Sequence, residues 1–459
     1  MRNDHDRPSP RRERQIPQSA FKMLRNDAVL LQLERILRQI NRWDDPEVQK
    51  AMRWARFGTE TGKTRGLTAL TAIVEDYKAR TIAYQDDFMP YATADQITNG
   101  GRGIHILDQA NGGIPCNIEQ DMFLLDALIL GRQGGGKSSA SLNIVSQVST
   151  PVLIIDPKDS WRRHASALGA SILEVTSFDL TPPPGVSWED WLFTVMEAIA
   201  MVTGIQFGLE LLVEASHIAL RQREQYIERS GQDTSLCLKD IKLALALCGS
   251  QRGKRADYRT SAETALSLLI GSDKCRLFAA RRGLPLDQIL RGRYIMPCPY
   301  LNSFQARFLG LYLFLYMRHS AHRRETTQLH HLTVIDDSSK FLCRSDSSFG
   351  SGPRFGPWMH ILKTLRSSGY GAIFIDQLPE SVLDDVKQLC HFWLVVGSIQ
   401  GRGNQNEVAA AMSLTPAQKE MLGRLQTREC VCFCPAGTPK HPFPLHGTIP
   451  EVHNPSQEY

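Results

Sequence analysis

The octapeptide Gly131-Arg132-Gln133-Gly134-Gly135-Gly136-Lys137-Ser138, GRQGGGKS, fits the pattern G-x-x-x-x-G-K-[S/T] at every fixed position. An apolar run precedes it, Leu124, Leu125, Ala127, Leu128, Ile129 and Leu130, and reads as a buried strand. Ser139, Ala140, Leu142, Ile144 and Val145 follow it and open a helix. In such a strand–loop–helix the backbone N–H groups turn inward, and the positive helix end joins them in cradling phosphate oxygens. Glycines at 134, 135 and 136 keep side chains away from the phosphates. Lys137 is expected to reach the β- and γ-phosphates and the Ser138 hydroxyl to ligate Mg²⁺. Gly131, Arg132, Gln133 and Ser139 complete the expected cradle. The plain alternative is a glycine-rich turn that binds nothing, and the flanking strand and helix weigh against it. ATP with Mg²⁺ is the expected ligand.

The rest of the chain must accommodate that loop. Its 459 residues suffice for two or three domains. With 42% hydrophobic and 22% charged residues it has the composition of a soluble globular protein. A formal charge of +5 permits nucleic acid as a partner without requiring it. No run approaches the ~20 apolar residues that span a bilayer, and the first residues, MRNDHDRPSPRRER, lack the apolar core of a secretory signal. Nucleotide use points to the cytoplasm, where the ten cysteines are expected to be reduced thiols.

Outward from the loop, Pro151 to Asp156 forms a continuous apolar run suited to a strand buried on both faces. Strand, loop, helix and strand make a βαβ unit, so a largely parallel sheet flanked by helices is predicted. Upstream, Ile104–Leu107 and Ile114–Ile118 flank Asn111-Gly112-Gly113 as a β-hairpin. Further strands are expected at Arg293–Pro297, Leu332–Ile335, Ala372–Asp376, Phe392–Val396 and Glu429–Cys434, with a helix over Phe304–His319 and a loop-like tail from Pro435. Residues 1–18 are polar, Pro- and Arg-rich and expected to be disordered. Residues 19–100 carry helical periodicity, as in Val29, Leu30, Leu33, Ile36, Leu37 and Ile40. Residues 188–290 read as an all-helical insertion, in which Arg252, Lys254, Arg255 and Arg259 surround Tyr258; a solvated loop is the simpler reading of that basic stretch.

Several residues carry candidate chemistry. Leu332-Thr333-Val334-Ile335 ends in Asp336-Asp337, which suits Asp336 as the carboxylate on the metal side and Asp337 as the group that positions water; an Asp-rich turn gives the same letters. Gln377 follows the strand Ile373–Asp376 and either senses the γ-phosphate or caps a loop. Arg366 and Arg402 are candidate arginine fingers, or surface residues. Cys430, Cys432 and Cys434 repeat every second residue, which puts them on one strand face as core packing and not as a metal site.

Taken in order, IHILDQANGGIPCNIEQD, LILGRQGGGKS, LIIDPKDSW, FDLTPPPGVSWEDW, LTVIDDSSKF, LRSSGYGAIFIDQLPESVL and MSLTPAQKEMLGRLQTRECVCF resemble the HerA–FtsK superfamily of P-loop ATPases over about 101–452. The resemblance implies an α/β, RecA-like ATPase core over 101–187 and 291–452, with the helical insertion between them and a short tail at 453–459. It also implies that Lys137 and Ser138 bind phosphate and Mg²⁺, that Asp336 supports the metal, and that Gln377 is the sensor. Relatives act as six-membered homo-oligomeric rings on DNA, or energise secretion. The chain departs from the family at Asp337, where Glu is usual: one methylene fewer retracts the carboxylate by ~1.5 Å, so either slow hydrolysis or a base elsewhere is expected. The β-barrel of HerA and a membrane anchor are also not evident in the sequence. The leading expectation is a ring-forming DNA translocase. The alternative is a low-turnover ATP-dependent assembly or switch protein that recruits a nuclease or secretion partner.

Overall fold

Alternating side chains on the central strands divide into two cores. Leu128, Leu130, Leu153, Ile155, Phe374 and Val395 bury on one face of the sheet, and Ala127, Ile129, Val152, Ile154, Ile375 and Leu394 on the other. A strand lined on both faces has no polar side, which accounts for the continuous apolar runs in its sequence. In the computed structural model, residues 29–450 are described except 32, 35, 38–42, 44, 84–91, 111–112, 175–177, 206, 249–252, 272–276, 279–282, 284–285, 322–324, 343–356 and 435–440. The expectations for the basic tail, the hairpin turn at Asn111-Gly112, Arg252 and the last residues lie outside the described set.

The chain divides into two units, 1–86 and 87–459. In the first, α1 (Pro46–Phe57) starts at Asp45, whose carboxylate accepts the Glu47 N–H, with Pro46 in the first turn. Helix α1 packs on α2 (Glu60–Ala83) through Val48, Ala51, Met52 and Ala55. Leu30, Leu33, Leu37, Leu70 and Val74 complete that small core, as the helical periodicity predicts.

The second unit is built on a single 11-stranded sheet. Its strands are β1 (Ile104–Gln109), β2 (Pro115–Ile118), β3 (Ala127–Leu130), β4 (Val152–Asp156), β5 (Ser171–Ile172), β6 (Arg293–Pro297), β7 (His331–Ile335), β8 (Tyr370–Asp376), β9 (Phe392–Val396), β10 (Glu429–Cys434) and β11 (His441–Thr448). They lie in the order β2-β1-β11-β10-β9-β3-β8-β7-β4-β6-β5. From β9 to β5 all neighbours are parallel. Strands β10, β11, β1 and β2 extend the sheet antiparallel. Helix α3 (Lys137–Gln147) follows β3 and packs Ala140, Leu142, Ile144 and Val145 into one core. The predicted helical insertion lies between β5 and β6 as α4 (Trp188–Thr203), α5 (Leu209–Ser230), α6 (Leu238–Leu245) and α7 (Lys254–Ile270), with a short turn of helix at Leu286–Ile289. It shares the other core with α8 (Ser303–Ala321), through Trp191, Leu212, Leu266, Phe308 and Tyr312. Cys430, Cys432 and Cys434 are fully buried on one face of β10, as their spacing requires.

Two local expectations are corrected. The segment after Pro435 is not all loop: β11 pairs with β10 and β1 although it contains Pro442 and Pro444. Its partner β1 reaches only Gly447 and Thr448, so the prolines fall where β11 has a neighbour on one side and their missing N–H groups cost no ladder bond on the other. The loop-bearing strand also starts later than its apolar run. Gln120–Leu125 is a 3-10 helix, and Asp126, at φ 52°, breaks the chain before β3.

Asp126 also anchors the strand ends remote from the glycine loop. Its Oδ1 accepts the Ala372 N–H at 2.9 Å, and its Oδ2 faces Arg366 at 4.0 Å. Arg366 itself donates to the carbonyls of Leu124 and Leu389 at 3.1 and 3.0 Å. It thereby ties together the segments that enter β3 and β9, at the opposite end of β3 from Gly131. Arg366 is committed to this buttress, which gives no support to its expected role as a finger. Arg366→Leu should therefore lower stability by about 3 kcal/mol, because it leaves the Leu124 and Leu389 carbonyls without their donor. The measurement is chemical unfolding; an unchanged stability with lost hydrolysis would restore the finger. Burial pushes the Asp126 carboxyl up to about 8, against the opposing pulls of Arg366 and the Ala372 N–H. Between the ordinary carboxylate range and pH 8 the folded chain thus holds a proton that the unfolded chain has lost, and this group's contribution to stability falls as pH rises. Asp126→Asn should gain stability relative to the parent from pH 5 to pH 9, by at most about 1.4 kcal/mol per pH unit.

Candidate nucleotide site

Parallel strands deliver their C-terminal ends to one edge, and the candidate residues stand there. Strand β3 runs into Gly131 between β9 and β8, with Leu130 opposite Val395 on one side and Asp376 on the other. Strand β7 lies beyond β8, with Ile335 opposite Phe374. Strand β4 follows, with Ile155 opposite Ile335. Gly131, Asp336, Gln377 and the Asp156 turn therefore emerge along one line.

The loop's backbone suits its glycines. Gly134 and Gly136 have φ of 76° and 109°, the left-handed region that side chains rarely adopt. Gly136 is the N-cap of α3, and Lys137 begins the helix. The N-terminal N–H groups of that helix have no intrahelical acceptor, so with the helix dipole they form an anion-binding end. Lys137 Nζ donates to the carbonyls of Gly131 and Arg132 at 2.5 and 3.1 Å, spanning the loop from inside. Arg132, Gln133, Gly134, Ser138 and Ser139 are exposed at its rim.

Across from the loop stand two buried carboxylates of different character. Asp336 Oδ1 accepts the Asp337 N–H at 3.0 Å, and its Oδ2 accepts the buried indole N–H of Trp161 at 3.4 Å. Burial, and then the neighbouring Asp337, push the Asp336 carboxyl up. Burial acts on Asp337 in the same direction, but Lys158 and Lys340 outweigh it and hold that carboxyl below its usual range. Lys158 Nζ lies 2.8 Å from Oδ1 and 2.7 Å from Oδ2 of Asp337, and Lys340 lies 3.2 Å from Oδ2. Lys137 belongs to the same electrostatic group. Burial lowers its pKa, while Asp336, Asp337 and Asp376 pull it upward.

Gln377 sits at the end of β8, its N–H donating to Asp376 Oδ1 at 2.8 Å. Asp376 also accepts from the Ser339 N–H and from the hydroxyls of Ser338 and Ser381. Arg402 is exposed at the first turn of Arg402–Ala411, a few residues beyond the end of β9. The structure thus gathers Lys137, Asp336, Asp337 and Gln377 at one edge, places Arg402 after the neighbouring strand, and leaves Arg366 at the opposite end.

Four residues that touch the site carry no local motif. Lys158 and Trp161 reach it from the turn after β4, where Asp156 accepts the N–H groups of Lys158 and Trp161 at 3.1 and 2.7 Å. Gly397 and Arg428 press on the loop from β9 and β10, with the Arg428 N–H donating to the Gly135 carbonyl at 2.9 Å. The segment LIIDPKDSW was the available signal for the first pair, while Gly397 has none and Arg428 is marked only by the resemblance of the block that contains it.

The donor set fits a nucleoside triphosphate with a hard cation. Positive-φ glycines and open helix N–H groups suit phosphate, and the Ser138 hydroxyl and Asp336 carboxylate are the oxygens that could face Mg²⁺. Among the described residues no group of three or more His, Cys, Asp or Glu is arranged to hold a metal ion by protein ligands alone. Among them, too, no helix is long and apolar enough to cross a membrane.

No protein-family model and no curated protein matches the sequence. Solved structures do match the fold. VirB4 of Thermoanaerobacter pseudethanolicus superposes with a TM-score of 0.58 at 14% identity, over 78% of this chain and 99% of VirB4. The bacterial conjugative coupling protein TrwB superposes with a TM-score of 0.50 at 14% identity, over 78% of this chain and 92% of TrwB. TrwB has been solved with the ATP analogue ADPNP, and with ADP and Mg²⁺. The chain has the RecA-like P-loop fold, a large, mostly parallel sheet flanked by helices, that it shares with VirB4 and TrwB.

Proposed function

We propose that this chain is an ATP-hydrolysing motor that forms a homo-oligomeric ring, six-membered by analogy, and translocates DNA. The observation that carries the reading is the convergence on one sheet edge of a glycine loop, a lysine, an acid pair and a glutamine from three separate strand ends. No single packing need calls for that set. The fold shared with VirB4 and with TrwB, described as a plasmid coupling protein, supports the same class of work. Bound Mg²⁺ would neutralise charge on the phosphates and bridge them to the chain. In this reading the loop N–H groups of Gly134 to Ser139 hold phosphate oxygens, and Lys137 leaves the Gly131 carbonyl to meet the terminal phosphates. Ser138 and Asp336 face the metal. Asp337 orients water, Gln377 registers the terminal phosphate, and Arg402 is the remaining finger candidate for a neighbouring subunit.

One observation favours a second reading, a slow switch that assembles with ATP and recruits a nuclease or secretion partner. Asp337 is short for a water-orienting carboxylate, and it is already paired with Lys158 and Lys340.

Lys137→Ala and Asp336→Asn should each reduce steady-state ATP hydrolysis by at least about a hundredfold. DNA should stimulate the parent, and this stimulation should weaken steeply with salt. Hydrolysis that no DNA or RNA accelerates, together with a particle size that changes between ATP and ADP, would replace the motor by the switch. Hydrolysis unaffected by Lys137→Ala would remove both.

A further inference from the structure

The turn after β4 is an unusually constrained piece of chain. Asp156 is fully buried, and its carboxylate accepts the Lys158 N–H, the Ser160 hydroxyl and the Trp161 N–H at 3.1, 3.3 and 2.7 Å. Asp159 adopts a left-handed φ of 55° within it. Two side chains project from this turn onto the acid pair of β7: the Trp161 indole onto Asp336, and the Lys158 ammonium onto Asp337. The Lys158 contact joins residues 179 positions apart and centres the ammonium between both carboxylate oxygens.

The two ends of that ion pair are unequal. The Asp337 side chain is 9% exposed and that of Lys158 is 45% exposed. Asp337 also has a left-handed φ of 45°, a conformation uncommon for non-glycine residues that aspartate tolerates in turns. Lys340 lies three residues along the same turn, so its contact is local. Lys158 reaches Asp337 from a separate element, the capped β4 turn.

We infer that Lys158 is the positioning residue for Asp337: from a rigid neighbouring turn it holds this short carboxylate at the place from which it acts. The inference rests on the reading of Asp337 as the group that orients water. It explains how an Asp can serve there, since a fixed external cation sets the carboxylate's direction in place of a longer side chain.

The test is a set of variants read in three ways. Lys158→Met should lower ATP turnover about 10- to 100-fold, the scale of a 1 Å misplacement, with KM for ATP, affinity for a fluorescent ATP analogue and the thermal midpoint nearly unchanged. Lys158→Arg should recover part of the loss. In an Asp337→Asn background Lys158→Met should cost nothing further, because the two act as one unit. A crystal structure of the Lys158→Met chain should show the Asp337 carboxylate displaced. An unmoved carboxylate overturns the inference, as does a raised KM with kcat intact, or a full additional loss in the Asp337→Asn background. If the parent does not hydrolyse ATP, the functional reading fails on its own, and the crystal structure still decides whether Lys158 places Asp337.

Discussion

The nucleotide edge depends on a contact between backbones that leaves no room for a side chain. A Cβ on Gly131 would come within 2.0 Å of the Val396 carbonyl oxygen, and one on Gly135 within 2.8 Å of the same atom. From the other side, a Cβ on Gly397 would meet the Gly135 Cα at 2.9 Å. The Gly397 N–H donates to the Glu429 carbonyl and the Arg428 N–H to the Gly135 carbonyl, so the ends of β9 and β10 close on the loop as a clamp. The loop glycines therefore do different work. Gly131 and Gly135 admit the protein's own backbone, Gly136 takes a left-handed φ beside the Val396 side chain, and Gly134 supplies its φ in open space. A loop held from behind in this way presents its N–H groups without having to be ordered by what it binds.

The same geometry separates what could be read from the sequence from what could not. Buried parallel strands announce themselves, because both faces must be apolar, and β3, β4, β7, β8 and β9 all carry that run. The glycine loop is a contiguous motif whose chemistry is local. Asp336 and Gln377 were legible because parallel strands all end at one edge, so a polar residue after an apolar run has a predictable address. β11 was hidden by its prolines, which are tolerated because β1 leaves that stretch one-sided. Asp126 was hidden inside an apolar run, where a single acid looks like noise; it serves as the fastening of the sheet's far end. Arg366 could not be assigned from sequence at all. An arginine near a strand is equally suited to phosphate and to backbone carbonyls, and within the chain Arg366 reaches the carbonyls of Leu124 and Leu389. Lys158 and Arg428 act across long separations, for which no periodicity exists.

Four aspartates, Asp156, Asp336, Asp337 and Asp376, follow from the same topology, and so many buried acids on one edge pose an electrostatic problem. The structure resolves it by giving two of them to the backbone. Asp156 caps its own turn. Asp376 accepts from Ser338, Ser339, Gln377 and Ser381, which ties the end of β8 to the turn that follows the acid pair. The other two acids face cations, Asp337 by direct ion pairs with Lys158 and Lys340, and Asp336 by its field on Lys137. This division has a mechanical consequence. Because Asp376 accepts from both the N–H of Gln377 and the residues just after Asp337, one carboxylate links the end of β8 to the turn that carries the acid pair. The end of β8 and the acid pair are thus joined through hydrogen bonds that leave the side chains of Gln377 and Asp337 outside the link.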